Sequence, residues 1–279
     1  GLMKNRIAQS PEEIEGDYRI NGERRVMQIA DRIVAATHAE EAQLEFLYGV
    51  PEEKIVIIPP GVDTSRFYPI PDDEAKEAIE YSGCPRLLLF VGRIEPLKGI
   101  DTLIRALAMV RESGALEKQC YSLAIIGGDP DAPAEQMTTE MARLRALCVE
   151  LHLEDLVLFL GKRAQETLPY YYSAADILIM PSHYESFGMV ALEAMSCGTP
   201  VIASQVGGLA FLVQDGITGF VVPGGDPAAL ARTLTQLIQQ PELRARLGQQ
   251  ASEYASWYSW DKIVARIRNT YADLLELPV

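Results

Sequence analysis

The sequence predicts an α/β fold, a doubly wound parallel sheet with helices on both faces. Three observations predict it. Short continuous apolar runs recur, such as LLLFV at 87–91, LAII at 123–126 and ILIM at 177–180, the pattern of strands buried on both faces. Between them lie segments with apolar residues at helical spacing, Leu103, Ile104, Leu107 and Val110 among them. The connections are short and often open with glycine directly after a strand.

In chain order, the first ten residues carry Lys4 and Arg6 and lead through an acidic loop to a helix over 18–30. A strand over 32–36, a helix over 38–48 ended by Gly49, and a strand over 54–58 follow. Pro59-Pro60-Gly61 breaks the chain, and the proline-rich stretch to Pro71 reads as a linker. An acidic helix over 72–82 introduces a larger unit. There, strands over 86–91, 122–126, 157–160, 177–180, 200–203 and 219–222 alternate with helices over 100–111, 133–150, 167–174, 189–197 and 209–213. Asp226 caps a helix over 227–240 with Pro227 in its first turn, and helices over 241–255 and 260–277 close the chain. The expected organisation is 1–71, 72–255 and 256–279.

With 279 residues, 48% hydrophobic and 23% charged, the chain has ample material for a core. A net charge of −14 argues against broad nucleic-acid or anionic-membrane binding, though not against a local phosphate site. There is no transmembrane run, and the opening GLMKNRIAQSPEE lacks the apolar middle of a signal peptide. Cys84, Cys120, Cys148 and Cys197 show no metal spacing and are expected to be reduced, which suits a cytoplasmic protein.

The segment 177–204 holds the densest chemistry. It reads as strand, polar loop, helix and strand, so its helix N-terminus opens at the carboxyl end of a parallel strand, where anions bind. Phe187, Gly188, Met189 and Val190 would present backbone amides there, with Glu185 just before the turn and Glu193 one helical turn beyond. Such a place suits a nucleotide diphosphate sugar, phosphates on amides and hydroxyls on carboxylates. A second loop, between Gly92 and Gly99, places Arg93 and Lys98 after another strand, where two cations can stabilise charge growing on a leaving diphosphate. The two glutamates could instead be a glycosidase acid and base. Asp129-Pro130-Asp131 could hold a metal ion but reads better as an acidic turn, and no metal or other cofactor is expected. Of the three histidines, His183 alone stands near this region.

These motifs carry a resemblance. FVGRIEPLKGIDTLIRAL (90–107), PSHYESFGMVALEAMSCGTPVIASQVGG (181–208) and DGITGFVVPGGDPAALA (215–231) are similar to those of family 4 glycosyltransferases with the GT-B fold. The chain resembles their C-terminal half and a little more. The resemblance implies a retaining, metal-independent transfer of a sugar from a nucleotide diphosphate donor, most often UDP-linked, to an acceptor. It implies Arg93, Lys98 and Glu185 as the catalytic set, Glu185 meeting the transferred sugar and Glu193 the ribose. Gly92, Arg163 and the 187–190 amides would complete the donor site. GLMKNRIA, residues 19–23 and ADRIVAATHAEEA resemble the branch of sucrose-phosphate synthases and inositol-phosphate glycosyltransferases, which implies Arg19, with Lys4 nearby, on a phosphorylated acceptor. An Arg19–Glu23 ion pair is the plainer alternative.

A GT-B enzyme has two Rossmann-like domains, and the chain resembles only the tail of the first. Trp257, Tyr258, Trp260 and Tyr271 look suited to packing a returning C-terminal helix on that domain. A longer chain, a second polypeptide or a dimer mate is expected to complete it. A non-catalytic sugar-nucleotide-binding module and a nucleotide-sugar epimerase are the rival readings.

Overall fold

Alternate residues of each apolar run face opposite sides of one sheet, and both sides are covered. The structure, a computed structural model, describes residues 1–8, 14–116, 119–133, 135 and 137–275, without the side chains of residues 4 and 7. The elements in order are α1 (Leu2–Ile7), α2 (Asp17–Ile29), β1 (Ile33–Ala35), α3 (His38–Tyr48), β2 (Ile55–Ile57), α4 (Asp72–Ala78), β3 (Arg86–Val91), α5 (Ile100–Glu112), β4 (Tyr121–Ile126) and α6 (Thr139–Glu150). They continue as β5 (Val157–Gly161), α7 (Leu168–Ala174), β6 (Ile177–Met180), α8 (Met189–Ser196), β7 (Val201–Ser204), α9 (Leu209–Leu212), β8 (Gly219–Val222), α10 (Pro227–Gln239), α11 (Pro241–Ala255) and α12 (Trp260–Leu275).

Among the described residues, six strands form one parallel sheet in the order β5-β4-β3-β6-β7-β8. Leu88 and Phe90 of β3 join one core with α5 and α10, while Leu87, Leu89 and Val91 join the other with α7 and α8. β4 and β6 alternate in the same way, Ile125 and Ile179 to the first core and Ala124 and Leu178 to the second. The chain winds outward from β3 through β4 to β5, then returns to β6 on the opposite side of β3. That reversal opens a crevice at the carboxyl ends of β3 and β6.

β1 and β2 form a separate parallel pair crossed by α3, with Ala35, Leu44, Val50 and Ile55 as its small core. Thr37 caps α3 by accepting from the Glu40 amide, and Glu40 Oε2 accepts from the Ala36 amide at 2.7 Å. Gly49 ends the helix in the left-handed region, as its sequence position predicts. Asp226 caps α10 through the Ala229 amide at 2.9 Å. α12 ties the pair to the larger sheet. Val62 N donates to Tyr258 O, the Trp260 ring lies over Gly61, and the Arg266 guanidinium donates to Ile57 O.

Several expectations change. α1 has no counterpart among the expected elements. α4 stops at Ala78 because the chain turns through Glu80 at φ 51°. α6 starts only at Thr139, where Thr138 caps the Met141 amide; residues 134 and 136 of the longer predicted helix lie outside the described ones. The expectation of four reduced cysteines is corrected. Cys84 and Cys120 form a disulfide with Cα atoms 5.1 Å apart, because the parallel register of β3 and β4 sets Arg86 beside Tyr121. Cys148 and Cys197 are free and buried, and burial pushes their thiols up to about 11 and about 12.

Candidate functional site

The loop after β3 and the loop after β6 meet at this crevice. His183 N donates to Leu97 O at 2.8 Å, which clips them together. Between them lies a cavity of about 260 Å³ lined by Gly92, Arg93 and Lys98 from the first loop. Ser182, Glu185, Phe187, Gly188, Met189 and Val190 line it from the second. A wider groove of about 680 Å³ lies elsewhere, lined by Gly216, Phe220, Gln236 and Arg246. It belongs to the β8 edge, and although Gly216 and Phe220 fall in the 215–231 motif, it gathers none of the candidate site residues.

Local structure explains the placement. Gly188 opens α8 at φ 103°, no side chain caps that N-terminus, and Gly188, Met189 and Val190 of this turn line the cavity. A Cβ at Gly188 would press on Leu209 Cδ2. The glycine is therefore required by packing beneath the turn as well as by any close approach of a ligand above it. Gly207, at φ 45°, supports the turn from below. A Cβ there would collide with Glu185 O, and the neighbouring Gly208 N donates to that same carbonyl at 3.0 Å.

Charges in the cavity come as opposed pairs. Lys98 Nζ lies 2.6 Å from Glu185 Oε2, with each side chain 17% exposed. Arg93 Nη1 lies 2.6 Å from Glu95 Oε1 and is 75% exposed. Glu193 stands one turn along α8, outside the cavity lining. Its Oε2 accepts from the Tyr172 hydroxyl at 2.8 Å. Burial raises the Glu193 carboxyl above its usual range, and the Tyr172 hydrogen bond opposes that only in part. Burial, then Glu193 itself, raises the Tyr172 hydroxyl.

Other sequence-predicted residues lie elsewhere. Arg163 Nε donates to the Tyr171 hydroxyl at 2.8 Å, and its guanidinium is exposed beyond the cavity lining. Arg19 is held by Glu23 at 3.0 Å and Glu15 at 3.3 Å on an exposed face of α2, which is the plainer of the two expectations. The Lys4 side chain lies outside the described residues. His183 does not line the cavity; its ring packs over Gly99 and Gly225. Asp129 Oδ1 accepts from the Asp131 amide in a tight turn, and among the described residues no group of three or more His, Cys, Asp or Glu stands ready for a metal.

Two residues were missed by sequence reasoning. Ser182 is buried in the cavity wall and its hydroxyl has no hydrogen-bond partner, although a protein interior seldom leaves such a group unused. Glu95 faces Arg93. Its place in the 92–99 loop was the only available signal, because nothing in residue type marks it as a counter-ion.

Residues 72–254 match the family described as "Glycosyl transferases group 1", and residues 5–66 match "Glycosyltransferase Family 4". The D-inositol 3-phosphate glycosyltransferase of Acidothermus cellulolyticus is 40% identical over 98% of this chain and 60% of its own length. That of Thermomonospora curvata is 40% identical over 96% of this chain and 63% of its own. The chain thus spans about 60% of the length of these curated relatives. Sucrose-phosphate synthase of Thermosynechococcus elongatus superposes with a TM-score of 0.83 at 33% identity, covering 99% of this chain and 66% of that one. HepE of Anabaena, solved in complex with UDP and glucose, gives 0.79 at 26% identity over 95% and 69%. The site lies within the longer of the two matched segments, and the chain belongs to the group 1 glycosyltransferase family with a GT-B-type α/β fold.

Proposed function

We propose that this chain carries the donor-binding part of a retaining glycosyltransferase that moves a sugar from a UDP-sugar to a hydroxyl of a phosphorylated polyol or sugar. One observation carries the reading: the crevice between β3 and β6 gathers Arg93, Lys98, Glu185 and the open N-terminus of α8 around one cavity. The relatives named for inositol 3-phosphate, and the neighbour solved with UDP and glucose, support the acceptor and donor classes.

In this reading the pyrophosphate lies on the α8 amides between Arg93 and Lys98. Glu185 accepts from the transferred sugar's hydroxyls and Glu193 from the ribose, and Arg163 brackets the base. As the sugar C1–O bond breaks, charge grows on the leaving phosphate and the two cations stabilise it. The acceptor oxygen bonds to C1 on the same face, and its proton passes to the leaving phosphate, so configuration is retained without a protein nucleophile. Arg93 and Lys98 supply the positive charge that a divalent ion provides in other transferases, and activity is expected to persist in EDTA.

Residues 1–71 are read as part of the acceptor-side unit, with Arg19 exchanging Glu15 and Glu23 for the acceptor phosphate, 72–255 as the donor unit and 256–279 as the returning helix. Tyr18, Ile29 and Phe46 stand exposed on α2 and α3, a surface for the remaining length of the relatives or for a second chain to cover. Among the described residues no helix is long and apolar enough to cross a membrane. A cytoplasmic site of action follows from the substrate class alone, since the Cys84–Cys120 bridge removes the support that four reduced cysteines would lend.

The test is a thermal-shift panel of nucleotide sugars. A cognate donor at one hundred times its Kd stabilises the chain by about 2.7 kcal/mol, and Arg93→Ala abolishes that gain. In a protein carrying the full acceptor side, Arg93→Ala lowers kcat by about 100-fold. If no nucleotide sugar of any base shifts melting, the reading fails.

A further inference from the structure

Both cations facing the cavity are already neutralised, but separating the two pairs has unequal consequences. Arg93 and Glu95 face solvent, so water takes over when they part. Lys98 and Glu185 are shielded, each 17% exposed at 2.6 Å. Drawing Lys98 toward a pyrophosphate leaves Glu185 without a cation where water serves it poorly, a costly state for a carboxylate. The surroundings deepen that cost. Tyr184, beside Glu185, is half-buried, and Glu40 and Glu185 together help hold its hydroxyl above the usual range, after burial as the main cause. Glu40 lines a small pocket together with Tyr184 and Glu185, so the neighbour on that side is a second carboxylate and not a replacement cation. Hydroxyl groups can replace the lost ammonium, since one carboxylate accepts from two adjacent O–H donors.

We propose that Glu185 discriminates between an intact nucleotide sugar and the nucleoside diphosphate left after transfer. Both recruit Lys98 to the pyrophosphate, but only the sugar brings hydroxyls that satisfy Glu185 again. After transfer the sugar leaves, Glu185 stands unpaired, and it reclaims Lys98, which weakens the hold on the product diphosphate. Glu185 thus acts in product release as well as in sugar binding. The inference rests on the donor-site reading above, and the measurements below separate its failure from the failure of that reading.

Titration calorimetry is run on the unmodified chain and on its Glu185→Gln, Glu185→Ala and Lys98→Met variants. The probes are UDP, GDP and ADP, each paired with its glucose and N-acetylglucosamine derivatives. The unmodified chain is expected to bind the intact sugar nucleotide at least about tenfold more tightly than its diphosphate. Glu185→Gln is expected to bind the diphosphate about tenfold more tightly than the unmodified chain and to bring the ratio of the two affinities near one. Glu185→Ala should do the same if the glutamine variant folds poorly, and Lys98→Met should weaken both ligands. Equal affinity of the unmodified chain for diphosphate and sugar nucleotide overturns the proposal without recourse to any variant. So does a glutamine or alanine variant that binds the diphosphate no better, while donor binding itself stands. Absence of all nucleotide binding to the unmodified chain removes the donor site and the proposal together.

Discussion

Glu193 is an acid whose surroundings change on folding. It sits within α8 and hydrogen-bonds to Tyr172, with burial raising its carboxyl. A carboxyl raised on folding keeps its full contribution below the unfolded value, and that contribution is lost as pH rises through the folded one. The charge at Glu193 therefore lowers stability at neutral pH. Glu193→Gln keeps an acceptor for Tyr172 and removes the buried charge, so its melting temperature should equal that of the native chain in acid and rise above it toward pH 7. The same change removes the charged acceptor proposed for the ribose and should weaken nucleotide binding by about 10- to 100-fold. Calorimetric melting from pH 4 to 8, with titration at pH 7, checks both halves. A variant that is less stable at neutral pH, or that binds as well as before, contradicts the assignment.

At the scale of elements, α9 and its leading glycines hold the Glu185 turn in place. Gly207→Ala forces a side chain into the left-handed region and against Glu185 O, costing about 2 kcal/mol or more. Melting temperature and nucleotide affinity should fall together. Gly216, at φ 72° with nothing within 4 Å of an added Cβ, is the control; its alanine variant should lose some stability and keep its affinity. Parallel outcomes for the two would mean that α9 does not position the turn. Much of this arrangement was legible in the sequence. β3 and β6 announce themselves as unbroken apolar runs with the motif residues directly at their carboxyl ends, so local pattern suffices to bring Arg93, Lys98 and Glu185 to one crevice, while their roles come from the resemblance and stand as proposed. What depends on register was not legible. Cys84 and Cys120 meet only because β3 pairs with β4 from Arg86 and Tyr121 onward, and 36 residues separate them in sequence. The partners that occupy Arg163 and Glu193 come from α7, through Tyr171 and Tyr172, and helical spacing gives no sign of what a helix will face across a sheet edge.

At the scale of the whole molecule there are two ties, one covalent within the six-stranded unit and one packed between that unit and the β1–β2 pair. The Cys84–Cys120 bridge closes a loop containing β3, the Arg93–Lys98 loop and α5, and its loss should lower unfolding free energy by about 3–4 kcal/mol. Thiol titration in denaturant should find two reactive sulfurs without reductant and four with it, while the native chain shows almost none because Cys148 and Cys197 are buried. The second tie is α12. Its Trp260 ring covers Gly61, and hydrogen bonds from Val62 to Tyr258 O and from Arg266 to Ile57 O bind the β1–β2 pair to the six-stranded unit. None of these groups lines the cavity between β3 and β6. Trp260→Ala strips the ring from a half-exposed position, so the loss is smaller than for a core aromatic, about 1–2 kcal/mol. The linker around residues 59–71 should then be cut by protease several-fold faster, because its anchoring strand and helix separate more often. Donor-induced stabilisation should be unchanged, since the cavity is built wholly within the larger sheet. If Trp260→Ala instead abolishes that stabilisation while the six-stranded unit stays folded, the donor site depends on its smaller neighbour, and the two layers must be treated as one binding unit.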